Sequence, residues 1–345
     1  MPNLQTIDIL ELGQNIFSPL AELILKEYGL KDIKEISYPP VHSLTSKKVI
    51  FSANNGKQTK KYFLKEKPEY AKGKMPMKLS FLLQNYLSSK DRAIPEVIKT
   101  NEGNNFVKIC DRVFFITQYV DGIYYRGKKD EIYQAGVKLG EMHKLSSKID
   151  GLHDLKIEKS LTTEIGRNFL ELAEKHIIYK NSQFKEITNN IKEYLDTVES
   201  KIKNFSDNHY ILGHGDFSPF NLVFDRKKNN VVAVNDFDNV GLLLKTHDLA
   251  EAIITFSYMS YRGCSSNFSN ILPERVDVNI ANILLKGYRS VMTIERNELK
   301  ILDKIIMSIW IELICLGIIR DDFNFEVIFD FHKIRKQGEN FVKNI

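Results

Sequence analysis

The hydrophobic period of this chain changes near Asp121-Gly122, and that switch constrains the fold more than any other feature. Before it, Lys48–Ala53 and Lys60–Glu66 are short β-prone runs separated by Asn54-Asn55-Gly56-Lys57, a strong turn signal. Met77–Ser88 then places Leu79, Leu82, Leu83, Tyr86 and Leu87 at helical spacing, and Pro95 closes the segment. Two further strands are expected at Asn105–Ile109 and Val113–Val120. The order strand, strand, helix, strand, strand predicts a small α+β lobe over residues 1–120.

Beyond the switch the pattern is helical. Glu131–Leu145 sets Ile132, Ala135, Leu139 and Met142 on one face, and Phe184, Ile187, Ile191, Leu195, Val198 and Ile202 recur every three or four residues. No repeat or low-complexity linker interrupts the chain. A larger, mainly helical lobe over residues 121–345 follows, joined by a hinge and not a tether.

Composition narrows the class. Hydrophobic residues make up 43% and charged residues 27% of 345, so a folded protein is expected. Cys110, Cys264 and Cys315 are odd in number and far apart, which argues against a disulfide scaffold or zinc site and fits a reducing compartment. Met1–Gln14 lacks the order of a signal peptide. Ile305–Ile319, the most apolar stretch, is short of the roughly twenty residues a membrane span needs and carries Glu312. A cytoplasmic protein without a membrane partner is expected. Ten lysines against two acids, Glu66 and Glu69, lie between Lys47 and Lys78. They form either a solvated face or an electropositive region suited to an anionic ligand such as ATP. No recognised motif supports nucleic-acid binding.

One short region breaks the helical pattern and holds the chemistry. His214-Gly215-Asp216 is followed by Asn221, then Leu222-Val223-Phe224, a polar turn from Asp225 to Asn230, Val231–Val234, and Asp236-Phe237-Asp238. Phosphoryl transfer needs a carboxylate to orient a hydroxyl and hard oxygen ligands to hold magnesium against the phosphates. An Asp with an Asn five residues later supplies base and ligand from one loop, and an Asp after the next strand supplies a second ligand. Asp236 and its neighbour Asp238 both qualify; Asp236 is favoured because it ends the apolar strand.

These residues, with Asp248-Leu249-Ala250, resemble the aminoglycoside phosphotransferase and choline kinase superfamily, which includes homoserine-kinase-like and spore-coat-associated kinase-like members. The resemblance is strongest over residues 205–255. It extends over the rest through the lobe order, Phe63-Leu64-Lys65, and the helix ending in Leu139 and His143. It implies a bilobal protein-kinase-like fold and a kinase using ATP and Mg2+ to phosphorylate a hydroxyl of a small molecule. Asp216 is then the catalytic base, and Asn221 and Asp236 are magnesium ligands. Lys65 touches the nucleotide phosphates, with Lys61 and Lys67 close by on the same strand face. Gln118, Tyr119 and Val120 form the adenine-binding hinge. Asp248 supports the catalytic loop and His214 orders it. Asp238, Asp248, Tyr258, Tyr261, Arg262, Trp310 and Glu312 are candidates for the acceptor side.

The pattern has gaps. No Gly-x-Gly-x-x-Gly occurs, and His42-Ser43-Leu44-Thr45-Ser46 is the candidate phosphate loop. No Ala-Pro-Glu follows Asp236, which argues against a protein substrate. Kinases anchor the strand lysine with a helix Glu, but Met77–Ser88 has no acidic residue. Ser80 or Gln84 stands where the Glu is expected; either Glu66 or Glu69 compensates from elsewhere, or the lysine is positioned differently. A non-catalytic structural protein is the alternative this gap keeps open.

Overall fold

A computed structural model describes residues 18–37, 47–54, 58–67, 77–150, 152, 159, 162–176, 182–262 and 276–319. The chain separates into two compact units. The first comprises Met1–Ile123 with Val232–Asn239, and the second Tyr124–Val231 with Val240–Ile345. Residues 232–239 therefore group with the N-terminal unit although the chain reaches them late.

The first unit is built on a five-stranded antiparallel sheet with helix α1 (Pro19–Glu27) before it. Its strands are β1 (Lys31–Ser37), β2 (Lys48–Asn54), β3 (Thr59–Glu66), β4 (Val107–Ile109) and β5 (Arg112–Gln118), in the order β1-β2-β3-β5-β4. Strand alternation sorts the two faces. Leu64, Phe114 and Ile116 point to one side, where they pack with Leu20, Ala21, Ile24 and Leu25 of α1. Phe115 points to the other, edge-on to Phe81 of helix α2 (Met77–Ser88). Lys65 stands opposite Phe115 in the β3–β5 register. Helix α1 starts at Ser18, whose hydroxyl accepts from the Ala21 N–H at 3.4 Å, with Pro19 in the first turn.

The second unit is mainly helical. Its helices are α3 (Lys129–Ser146), α4 (Thr162–His176), α5 (Ser182–Ile202), α6 (Lys245–Arg262), α7 (Val278–Arg289) and α8 (Arg296–Ile319). Helices α3 and α7 touch backbone to backbone. A Cβ on Gly136 would lie 2.1 Å from the Leu284 carbonyl oxygen, and one on Gly287 would lie 2.1 Å from that of Tyr133. That approach brings Tyr288 of α7 to His143 of α3. Two short strands, β6 (Tyr210–Gly213) and β9 (Gly241–Leu244), pair antiparallel in front of α6. The strand β7 (Leu222–Phe224) leads into a turn in which the Asp225 N–H donates to the Asn230 carbonyl at 2.8 Å, and the strand β8 that follows (Val231–Val234) passes into the first unit at Val232. The apolar stretch 305–319 is the second half of α8, with Ile305, Ile306, Trp310 and Cys315 buried. Among the described residues, no helix is long and apolar enough to cross a membrane.

Candidate active site

In the first unit, strand pairing brings cations together and the turn after β8 supplies their counter-charges. Lys48 of β2 pairs with Lys65 of β3 in the antiparallel register. The Val234 N–H donates to the Ala93 carbonyl at 2.9 Å, fixing the strand that precedes Asp236. Asp236 then adopts a left-handed backbone (φ 68°), a conformation costly for a residue with a Cβ and concentrated at functional sites. A short 3-10 turn, Phe237–Asn239, follows, and Asp238 shares Lys65 with Asp236.

The Lys65 ammonium donates to Asp236 and sits 2.5 Å from Asp238 Oδ2. Lys48 donates to the other Asp236 oxygen at 2.7 Å. Lys67, one residue past β3, donates to Asp238 Oδ1 at 2.9 Å and to the Ser80 hydroxyl of α2 at 3.2 Å. Lys61, in contrast, is exposed and pairs with Glu35. Burial alone pushes the Lys65 ammonium down, but the charges of Asp236 and Asp238 outweigh it and hold it well above the usual lysine range. Burial likewise pushes Asp236 up, and Lys65 and Lys48 overcome that, keeping it ionised far below the usual carboxylate range.

No glutamate completes this set among the described residues. Glu66 is engaged by the Arg112 guanidinium at 2.8 and 2.9 Å, and Gln84 donates to the Pro95 carbonyl at 2.9 Å. Glu69 and the loop 42–46 lie outside the described residues. At the expected hinge, the Gln118 N–H donates to the Glu96 carbonyl at 2.9 Å and the Tyr119 N–H to that of Lys61 at 3.1 Å. The Val120 amide and the carbonyls are the main-chain groups to consider for a purine.

In the second unit the catalytic-loop candidate leaves β6 directly into His214. Both oxygens of Asp248, in the first turn of α6, accept main-chain N–H groups: His214 at 2.7 Å and Gly215 at 2.7 Å. His143 Nε2 lies 3.1 Å from the same carboxylate, and His143 Nδ1 lies 2.9 Å from the Tyr288 hydroxyl. Burial raises Asp248; the His143 hydrogen bond and the nearby imidazoles outweigh it, bringing it down to about 2. Gly213 has to be glycine here, because a Cβ would sit 2.9 Å from Asp248 Oδ2. One turn along α6, Glu251 accepts from the Phe217 N–H at 3.2 Å. Asn221 donates its side-chain amide to the Asp216 carbonyl at 2.9 Å, which closes the loop. Asp216 itself is half-buried.

Glu251 is the residue that sequence reasoning missed. Burial first, then the charges of Asp216, Asp248 and Glu312, push its carboxyl well above the usual range. The available signal was its place three residues after Asp248, on the same helix face. The aromatic candidates for the acceptor side are core: Tyr258 and Trp310 are buried, and the side chains of Tyr261 and Arg262 lie outside the described residues. Asp238 belongs with the lysines of the first unit.

Among the described residues, no cluster of three or more His, Cys, Asp or Glu is arranged to hold a metal. Magnesium takes one or two protein oxygens and completes its shell with phosphate and water. The ionised Asp236 and the amide oxygen of Asn221 are ligands of the right hardness.

The family model of the phosphotransferase enzyme family matches residues 48–289. Solved structures with the same fold include an amicoumacin kinase in complex with AMP-PNP, Ca2+ and amicoumacin (14% identity, 94% of each chain, TM-score 0.67). A microcompartment-associated aminopropanol kinase is 13% identical over 92% of this chain and 94% of its own, with TM-score 0.64. An aminoglycoside phosphotransferase from Alicyclobacillus acidocaldarius is 14% identical over 96% and 97%, with TM-score 0.59. At such identities these structures show the fold alone, a protein-kinase-like α+β fold. No individual curated protein sequence matches the chain. The family match spans well over half of the sequence and includes candidate residues of both units, and the chain belongs to the phosphotransferase enzyme family.

Proposed function

We propose that the protein is a cytoplasmic kinase that moves the γ-phosphate of ATP to a hydroxyl of a small molecule, with magnesium as its metal. The observation that carries this reading is the loop around Asp216. Asp248 clamps its entry through two main-chain N–H groups and Asn221 closes it onto the Asp216 carbonyl. A carboxylate so held has one task that fits its place, to orient a hydroxyl and take its proton as the new oxygen–phosphorus bond forms and ADP leaves.

Lys65 and Asp236 support the nucleotide half. A deeply buried ammonium in a region with Lys48 and Lys67 suits the oxygens of a triphosphate. Asp236 and Asn221 would hold magnesium, which when bound neutralises charge on the phosphates. The amicoumacin kinase binds AMP-PNP and Ca2+, and the named acceptors of the neighbours, amicoumacin and aminopropanol, are small molecules; both support the reading. The unpaired Cys110 and Cys315 suit a reducing compartment.

Thermal unfolding with and without Mg·ATP tests it. A ligand present at about a hundred times its Kd adds about 2.7 kcal/mol of stability, so millimolar Mg·ATP is expected to raise Tm by several degrees and ATP with EDTA by less. Absence of any shift at millimolar Mg·ATP would leave a phosphotransferase fold that does not engage the nucleotide.

A further inference from the structure

We infer that Lys67 is a positioning residue for Lys65, acting through Asp238 to do what a helix glutamate does in protein kinases. The inference rests on the nucleotide reading above and names the device by which this chain holds its phosphate-binding lysine.

A helix glutamate does two things in a kinase: it gives the strand lysine a counter-charge and ties the helix to the sheet. Helix α2 has no acidic residue. Here the two tasks are divided. Asp238 supplies the counter-charge, and Lys67 supplies the tie through the Ser80 hydroxyl of α2. The link keeps the same polarity, with the cation on the strand end and the acceptor on the helix, but the acceptor is a neutral hydroxyl.

Charges alternate in a single file, Lys48, Asp236, Lys65, Asp238, Lys67, which ends on Ser80. Each Asp238 oxygen faces its own ammonium, Oδ2 to Lys65 and Oδ1 to Lys67. Lys67 thereby fixes the rotation of the carboxylate and the direction from which it holds Lys65. Lys67 is itself immobilised. Its N–H donates to the Val113 carbonyl at 2.8 Å, and its side chain is 2% exposed, so its charge has no route to bulk water. Three cations against two carboxylates leave the file with a surplus positive charge, which suits a polyanionic ligand.

Isothermal titration calorimetry with Mg·ATP on the full chain tests the inference through a double-mutant cycle. Lys67→Met is expected to weaken Mg·ATP binding by about tenfold, with Lys67→Arg retaining affinity to within about threefold. In a Lys65→Met background, Lys67→Met is expected to change Kd by less than about twofold, because its effect runs through Lys65. An equal loss in both backgrounds would overturn the inference, showing that Lys67 meets the nucleotide by itself or matters only to folding. Undiminished affinity in folded Lys67→Met would overturn it as well. If Lys67→Met does not fold, Asp238→Asn and Ser80→Ala carry the same cycle, and additivity with Lys65→Met has the same meaning. Wild-type protein that gives no heat with Mg·ATP would instead remove the nucleotide reading itself, a result distinguishable from failure of the cycle.

Discussion

The candidate residues of the two units are held by opposite means. In the first unit, side chains hold side chains: Lys48, Lys65 and Lys67 are set against Asp236 and Asp238, charge by charge. In the second, side chains hold the main chain: Asp248 and Glu251 accept N–H groups of the loop that carries Asp216. The difference has a physical logic. A group that must exchange partners with a polyphosphate and a metal is best held by ion pairs, which other charges can replace. A base that must stay at one spot is best held through its backbone, which a ligand does not displace.

The largest expected effect separates the halves. Asp216→Asn is expected to lower turnover by about a thousandfold, the scale of a general base, with Mg·ATP affinity unchanged in calorimetry. Asp236→Ala should do the reverse to binding, removing the magnesium-dependent gain in ATP affinity. It also leaves Lys48 and Lys65 short of a counter-charge and is expected to cost about 3 kcal/mol in chemical denaturation. Equal nucleotide affinity in the two variants would break the division of labour.

A smaller effect is expected from Gly213→Ala, whose new methyl would meet Asp248 Oδ2 at 2.9 Å. Overpacking there is expected to cost about 2 kcal/mol and to lower kcat, with KM for ATP little changed. A variant with wild-type kcat would show that Asp248 does not set the loop.

The smallest effect is in the acid limb of stability. The folded Asp248 carboxyl stands at about 2 against an ordinary 3.8, so its contribution is complete above pH 4 and is lost as pH falls through about 2. That shift is worth about 2 kcal/mol. Denaturation curves between pH 5 and 2 are expected to fall less steeply for Asp248→Asn than for the wild type.

Much of this was legible in the sequence, for identifiable reasons. The helix Met77–Ser88 and strands β7 and β8 have the expected bounds, because their apolar spacing is clean and Asp225–Asn230 is strong turn chemistry. Strand β1 was not legible. Its sequence, Lys-Asp-Ile-Lys-Glu-Ile-Ser, is mostly exposed and breaks register against β2, with Asp32 and Glu35 at positive φ. Strand β9 was missed because four residues, Gly-Leu-Leu-Leu, carry no period of their own and take their form from pairing with β6. The candidates Asp216, Asn221 and Asp236 stood out by their spacing, and Asp216 and Asn221 lie on one hydrogen-bonded loop. The support of Lys65 was not, since Lys67, Asp238 and Ser80 are joined by tertiary contact across up to 171 positions of sequence.

The measurement that tests the central claim most directly is transfer of labelled γ-phosphate from Mg·ATP to a panel of hydroxylated small molecules. The panel would hold aminoglycosides, choline, ethanolamine, homoserine, methylthioribose and simple sugars, with Asp216→Asn as the control. The expected result is a labelled small molecule formed by the wild type and reduced about a thousandfold in the control. Label appearing equally with Asp216→Asn would contradict the assignment of Asp216 as the base and, with it, the mechanism built on its loop.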